Sequence, residues 1–482
     1  MVFGTRHLIC RASQLLLVAV LAVLLLSHSA GAQSSSAATA PSTYSAYSGT
    51  DAKPSPFPPP ALGPANSVLI DPTFGSRILR VTDANTAGGA SLIPEDAGFF
   101  RTWNANSTAL KLMDTRGGSY WLEFDPVNFR VGDGSARPTL HALSINYLWE
   151  WSAVNPDIIY FLNGNQLGKY NKATGATTNL GGPPNGDPVA YHIAVVGLDN
   201  WVCAAAGSGG QNFYTKLFCA NPNDASQNKF IDVFNRTING VSQSDSNWPT
   251  SASGQTIGVH SIDGSAGGSW LGVTFHQQSW GANGESALNL NTNTWSLVTA
   301  ADGYWSGHTS IGNGKYVNGG GSINGLDSRG AVIRDPDNLM NSSKRSFIMQ
   351  PPTTVGWYDG EHSSWFNAST NPNAPILFSR YNIILPPTVL PWIGEIIVAA
   401  TDGSNTVWRF AHNHNGGLAG FYGESFAQIS NDGRWALFSS YWDGMLGSSA
   451  DFGISTRMDT FIVELDPRSG TLPSPPTNLR VQ

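Results

Sequence analysis

The stretch Phe426–Trp442, FAQISNDGRWALFSSYW, reads as strand, turn, strand. Ser430 to Arg434 is a cluster of turn formers, and Asp432-Gly433 supplies the positive backbone angle that a tight hairpin needs. Trp435 to Tyr441 is apolar, aromatic and small, the pattern of a strand buried on both faces.

Six other segments repeat the unit: FFRTWNANSTALKLMD from Phe99, YLWEWSAVNPDIIYFLNG from Tyr147, YHIAVVGLDNWVCAAA from Tyr191, VHSIDGSAGGSWLGVTFH from Val259, GHTSIGNGKYVNGGG from Gly307 and EHSSWFNASTNPNAPILFSRY from Glu361. Their spacing suits four-stranded sheets with variable loops. Third and fourth strands are legible as hairpins at Ser119, Gln166 and Ser286. The last unit has only TFIVELDP after its second strand, while a spare hairpin, SVLIDPTFGSRILRVTD, stands at Ser67. If that hairpin completes the last unit, the ring is latched and leaves no free sheet edge.

The flanks read differently. Arg6 and Arg11, the apolar run Leu15 to Leu26 and the small residues Ala30-Gly31-Ala32 form an export signal over 1–32. The apolar run is too short to span a bilayer comfortably, and no later segment is long and apolar enough. The protein is therefore expected outside the cytoplasm, secreted or periplasmic, with no membrane span after signal removal. Residues 33–65, rich in Ser, Ala and Pro, are expected as a disordered or extended linker, and the ring occupies 66–467. The tail 468–482 is Pro-rich, and TLPSPPTNLRVQ at its end resembles the lead into a fibronectin type III domain.

Charged residues make up only 12% of the 482, with 53 Gly and 16 Trp, which suits a turn-rich β protein. A formal net charge of -7 without a basic patch argues against nucleic acid as a partner. The protein is expected as a monomer. Signal removal leaves Cys203 and Cys219, flanking a Gly/Ser turn that contains their midpoint, residue 211. A hairpin would set them opposite each other, and export favours a disulfide over two buried thiols.

The unit SNDGRWALFSS resembles the repeat of the TolB-like and WD-type β-propellers, over about Ser67 to Pro467. The resemblance implies an all-β, seven-bladed propeller, with the N-terminal strand or strands closing the last blade and each blade's first strand lining a central channel. Aligned by their turns, the units then place His192, His260, His308, His362 and Gln428 at similar first-strand positions. Imidazoles and a carboxamide suit a divalent metal, with Mn, Zn, Fe or Ca as candidates and His260, His308, His362 and Gln428 as ligands. The alternative is a structural ring in which each His bonds a neighbouring blade's backbone.

A second set falls at strand ends: Arg116, His276, Arg380, Tyr381, His412, His414 and Trp442, with Trp151 on a first strand. His and Gln in a secreted propeller also resemble the oligogalacturonate-lyase and ulvan-lyase propellers. That resemblance implies a metal-assisted polyuronate lyase acting by β-elimination. Arg380 or the metal would neutralise the uronate carboxylate, and His276 or Tyr381 would remove the α-proton. Here Gln428 is followed by Ile429 and Ser430, where that family places His close by. The reading from another class is a propeller that binds carbohydrate or another extracellular ligand at its channel mouth, through Arg116, Trp151, His412, His414 and Trp442. No phosphate-cradling loop, nucleophile elbow, HExxH or EF-hand motif is present.

Overall fold

The computed structural model describes residues 38–94, 100–114, 117–143, 148–207, 214–250, 258–275, 285–298, 309–318, 331–339, 346–350, 361–380, 391–416, 424–449 and 456–467. The signal and tail expectations, and Arg116, His276, His308 and Tyr381, lie outside these residues. The described residues belong to one compact unit. Among them no helix is long and apolar enough to cross a membrane.

Seven antiparallel sheets follow one another along the chain as the blades of a propeller. Blade 1 runs from Leu92 to Ala142, blade 2 from Trp149 to Gly181, blade 3 from Val189 to Ser242 and blade 4 from Val259 to Val298. Blade 5 runs from Thr309 to Met349 and blade 6 from Glu361 to His412. Blade 7 holds Gln428–Ile429, Trp435–Ser440 and Asp459–Glu464. The spare N-terminal hairpin completes it. Arg77–Arg80 pairs with the third strand (Ile78 opposite Val463), and Val68–Ile70 adds a fifth strand outside. The last blade is thus completed by strands from the N-terminal hairpin, which latches the ring.

The cores lie between blades. One apolar cluster joins Cys203, Leu217 and Ile231 of blade 3 to Ile262, Leu271 and Val273 of blade 4. Another joins Ile396 and Phe410 of blade 6 to Ala436 and Phe438 of blade 7. Each middle strand is therefore buried on both faces, which is why Trp435–Ser440 and Trp201–Ala206 read as unbroken apolar or small runs. Cys203 faces Cys219 across the second and third strands of blade 3, and the two are joined as a disulfide.

The hairpin of blade 7 shows why its turn sequence is what it is. Ser430 N–H donates to Trp435 O, Gly433 N–H donates to Ser430 O, and Gly433 has φ +68°. A side chain there would be strained by backbone angle, and its Cβ would lie 3.0 Å from Ala40 Cβ and Pro41 Cδ.

Those two neighbours belong to the N-terminal stretch expected as a linker. Over its described part, residues 38–65, that stretch is docked along blades 6 and 7. Tyr47–Ser48 pairs with Trp408 and Arg409 as a fifth strand of blade 6. Tyr44 packs edge-on against Trp408 and Phe410, and its hydroxyl donates to Gly433 O at 2.7 Å. The ring supplies most of the remaining donors: Trp392 Nε1 to Gly49 O, Arg409 Nη1 to Asp51 O and Trp442 Nε1 to Pro60 O. A segment that cannot bury a core of its own can still be ordered when a preformed wall reads its carbonyls and takes one or two of its aromatic rings. We call it the strap.

Candidate functional site at the blade 6 to blade 7 junction

The first strands line the axis, and side chains on them tie each blade to the next. Glu150 of blade 2 accepts from Arg101 N–H of blade 1 and Val195 N–H of blade 3. Asp263 accepts from Ile311 N–H, and Ser364 Oγ from Ile429 N–H. Carboxylates and a hydroxyl thus make these inter-blade bonds to backbone N–H groups.

These ties fix which positions correspond from blade to blade. Val195, Ile311 and Ile429 play the same part, so the residue three places earlier is His192 in blade 3 and Phe426 in blade 7. The register slips by one residue at His192, between Tyr191 and Ile193, and at His260, between Val259 and Ser261. Both histidines are therefore the extra residue of a β-bulge at the same level. Phe426, with φ +45°, occupies that level in blade 7, and Gln428 lies two residues further along. Alignment by turns alone could not see the bulges. Burial, and then the neighbouring His260, hold the His192 imidazole well below its ordinary pKa.

Two other histidines meet partners that sequence reading did not single out. His362, at the start of the first strand of blade 6, has Nε2 2.8 Å from Glu424 Oε2, and its ring lies against Phe426. His414, beyond the last strand of blade 6, has Nδ1 3.0 Å from Asp443 Oδ2 and packs on Trp442. In both pairs the imidazole is fully buried while the carboxylate reaches the surface, with Glu424 14% and Asp443 13% exposed. Burial pushes the His362 pKa down to about 3, so the ring is neutral.

One polar network holds the two pairs. Ser439 Oγ donates to Glu424 O, Ser440 Oγ and Asp443 N–H donate to His414 O, and Asn413 Nδ2 donates to Ser425 Oγ. Asn415 accepts from Tyr441 N–H. The backbone around it is strained: His414, Phe426, Trp442 and Asp443 all have φ between +45° and +52°. For rings as large as Phe and Trp that conformation costs energy and persists only where the surroundings impose it. Glu424 and Asp443 carried only a faint signal in the sequence, the turn-forming Asp443-Gly444 pair after SSYW.

Trp151 and Trp442 are 0% and 1% exposed, so neither ring offers an open face for stacking. Trp151 packs edge-on against Trp149 inside the blades. His412 Nε2 donates to Lys53 O of the strap, and its Nδ1 lies 3.6 Å from Asp71. Arg380 ends the second strand of blade 6, opposite Glu361. Among the described residues no three His, Cys, Asp or Glu side chains gather to hold a metal ion. The foreseen set of His260, His308, His362 and Gln428 includes His308, which lies outside the described residues, and no step below is routed through a metal.

The class this geometry defines is a seven-bladed β-propeller with a polar junction between its last two blades. No protein-family model matches the chain, and no curated protein is significantly similar to it in sequence. Among solved structures it is similar to an oligogalacturonate lyase from Vibrio parahaemolyticus, with TM-score 0.50 and 10% identity over 83% of this chain and 97% of that one. It is also similar to an oligogalacturonate lyase in complex with manganese (TM-score 0.47, 12% identity, 83% and 96% covered). The WD40 repeats of RRP9 are a third match (TM-score 0.43, 8% identity, 83% and 100% covered). At such identities the likeness is one of fold.

Proposed function

We propose that this protein is a secreted propeller that binds carbohydrate at the blade 6 to blade 7 end of its channel. The observation that carries the reading is the pair of surface-reaching carboxylates, Glu424 and Asp443, each held from behind by a buried imidazole. A carboxylate fixed in orientation accepts from the hydroxyls of a sugar without first having to be ordered. Export is supported by the leader pattern and by the disulfide of blade 3.

One observation favours a second reading, a polyuronate lyase. His362 is a neutral imidazole whose Nε2 is turned toward a carboxylate, the arrangement second-shell carboxylates impose on metal-ligating histidines.

A single experiment addresses both. The full chain is screened by calorimetry against neutral and acidic polysaccharides, with absorbance of unsaturated products followed in parallel. Glu424→Gln and Asp443→Asn are each expected to weaken binding by about tenfold to a hundredfold, the size of a lost charge-assisted hydrogen bond. Binding that both variants retain in full would sink the proposal. Product absorbance that depends on added metal and is abolished in His362→Ala would replace it with the lyase.

A further inference from the structure

The hairpin end of the channel carries a different feature, which neither reading above uses. Arg101, between the first two strands of blade 1 and two residues before the Trp103–Leu110 bridge, is completely buried. Its Nη1 donates to Asn431 Oδ1 of blade 7 at 2.8 Å, and its guanidinium lies 4.6 Å over the Phe366 ring of blade 6. The carboxylates of Glu150, Asp199 and Asp263, from blades 2, 3 and 4, all act on its charge. A residue whose guanidinium touches blades 6 and 7 while its N–H donates to Glu150 of blade 2 reaches inward, toward the axis of the ring.

Two of its donors, Nε and Nη2, have no hydrogen-bond partner among the described residues. These two N–H groups share one edge of the guanidinium plane and form the fork that grips a carboxylate with two parallel bonds. The nearby acids make no hydrogen bond to that edge and accept instead from other groups. Glu150 accepts from Arg101 N–H and Val195 N–H, Asp263 from Ile311 N–H, and Asp199 from Ser152 Oγ, Ala153 N–H and Tyr160 OH. The fork is also held still, by Asn431 at one end and Phe366 below. A guanidinium left half-bonded inside a protein is costly, and the natural complement of a rigid planar fork is a planar oxyanion.

We propose that Arg101 forms a carboxylate-binding site near the propeller axis, taking a small carboxylate or the acid group of a uronate. Its failure would leave the Glu424 and Asp443 reading untouched, since the two sites use no common residue.

The test titrates the full chain with sodium acetate, sodium galacturonate and, at equal ionic strength, sodium chloride. Saturation transfer to the acetate methyl group and the thermal midpoint are the readouts. Acetate is expected to bind and raise the midpoint, and formate to displace it. Binding by galacturonate as well would assign the site to acidic sugars, and its absence would assign it to small free anions. Arg101→Met should weaken acetate binding by about tenfold or more, and Arg101→Lys, which keeps the charge without the fork, nearly as much. No saturation transfer in the native protein, a midpoint that chloride shifts as far as acetate, or undiminished binding in Arg101→Met would each overturn the proposal. The first two readings need no variant to fold.

Discussion

Blades 3 and 6 are both widened beyond four strands, and by opposite means. Blade 3 extends itself with its own next residues, Thr237–Ile238 and Val241–Ser242, and is braced inside by the Cys203–Cys219 disulfide within an apolar cluster. Blade 6 borrows its fifth strand, Tyr47–Ser48, from the far end of the chain and holds it through charge. Arg409 grips Glu395 with Nε at 2.7 Å and Nη2 at 2.5 Å, both side chains fully buried, and turns Nη1 to Asp51 O of the strap. Its guanidinium also lies over the rings of Tyr47 and Phe74. One wall is local, covalent and apolar, and the other is assembled at long range from ionised groups. The second should therefore respond to mutation and pH in ways the first does not.

The largest effect is expected from breaking the ionic wall. Arg409→Ala leaves Glu395 buried without its cation. Burial already pushes that carboxyl above its ordinary pKa, with Arg409 opposing. The expected loss is about 3–5 kcal/mol of unfolding free energy, with protease cleavage appearing in residues 38–65. Replacing both partners, Arg409→Met with Glu395→Leu, should recover most of the stability and little of the strap protection. Denaturant midpoints and cleavage mapping separate the two. A single variant as stable as the parent would show that the pair does not hold this wall.

The counterpart in blade 3 is milder and different in kind. Cys203→Ala with Cys219→Ala removes a cross-link spanning 16 residues of sequence separation. The chain-entropy account puts that at roughly 3 kcal/mol. The strap should remain as protected as before, because its contacts among the described residues lie on blades 6 and 7. Strap cleavage that rises on reduction would mean that the two walls are coupled through the ring and that the contrast drawn here is false.

How much of this the sequence revealed follows the same divide. The hairpin units, the latch of the last blade by the Ser67 hairpin and the facing cysteines were legible because each depends on neighbours in sequence: a turn at Asp432-Gly433, or a midpoint between Cys203 and Cys219. The strap was not legible, since the averaged composition of residues 33–65 hides the few groups that dock it, and the donors that read its carbonyls lie some hundreds of residues away. The register of the first strands was half legible. His192 and His260 share a level as bulged residues, and the inter-blade ties put Phe426 at that level in blade 7, with Gln428 two residues further along. Glu424 and Asp443 stayed hidden because each meets its histidine only through the fold.

The smallest expected effect sharpens the contrast through pH. His412 donates from Nε2 to Lys53 O and faces Asp71 with Nδ1, so both ring nitrogens point at oxygen acceptors. Burial disfavours its charge, but the Asp71 carboxylate outweighs it and holds the pKa above the ordinary value. Burial likewise raises Asp71, yet its bonds with His412 and with the Phe74 amide hold it below the ordinary carboxylate range. The His412 contribution is therefore complete below its unfolded pKa, about 6.5, and fades as pH climbs through the raised folded value. The Asp71 contribution is complete above its unfolded pKa, about 3.9, and fades as pH drops through the lowered folded value. Between those limits the strap is tightest. Hydrogen exchange of the strap amides should quicken several-fold as pH rises past neutrality, beyond the intrinsic acceleration, by an amount on the order of 1 kcal/mol or less. His412→Gln, which keeps a donor for Lys53 O but cannot ionise, should flatten that dependence, while blade 3 amides show none in either protein. A strap profile that stays pH-dependent in the Gln variant would move the switch to another group, and blade 3 amides that follow the same curve would make the response global.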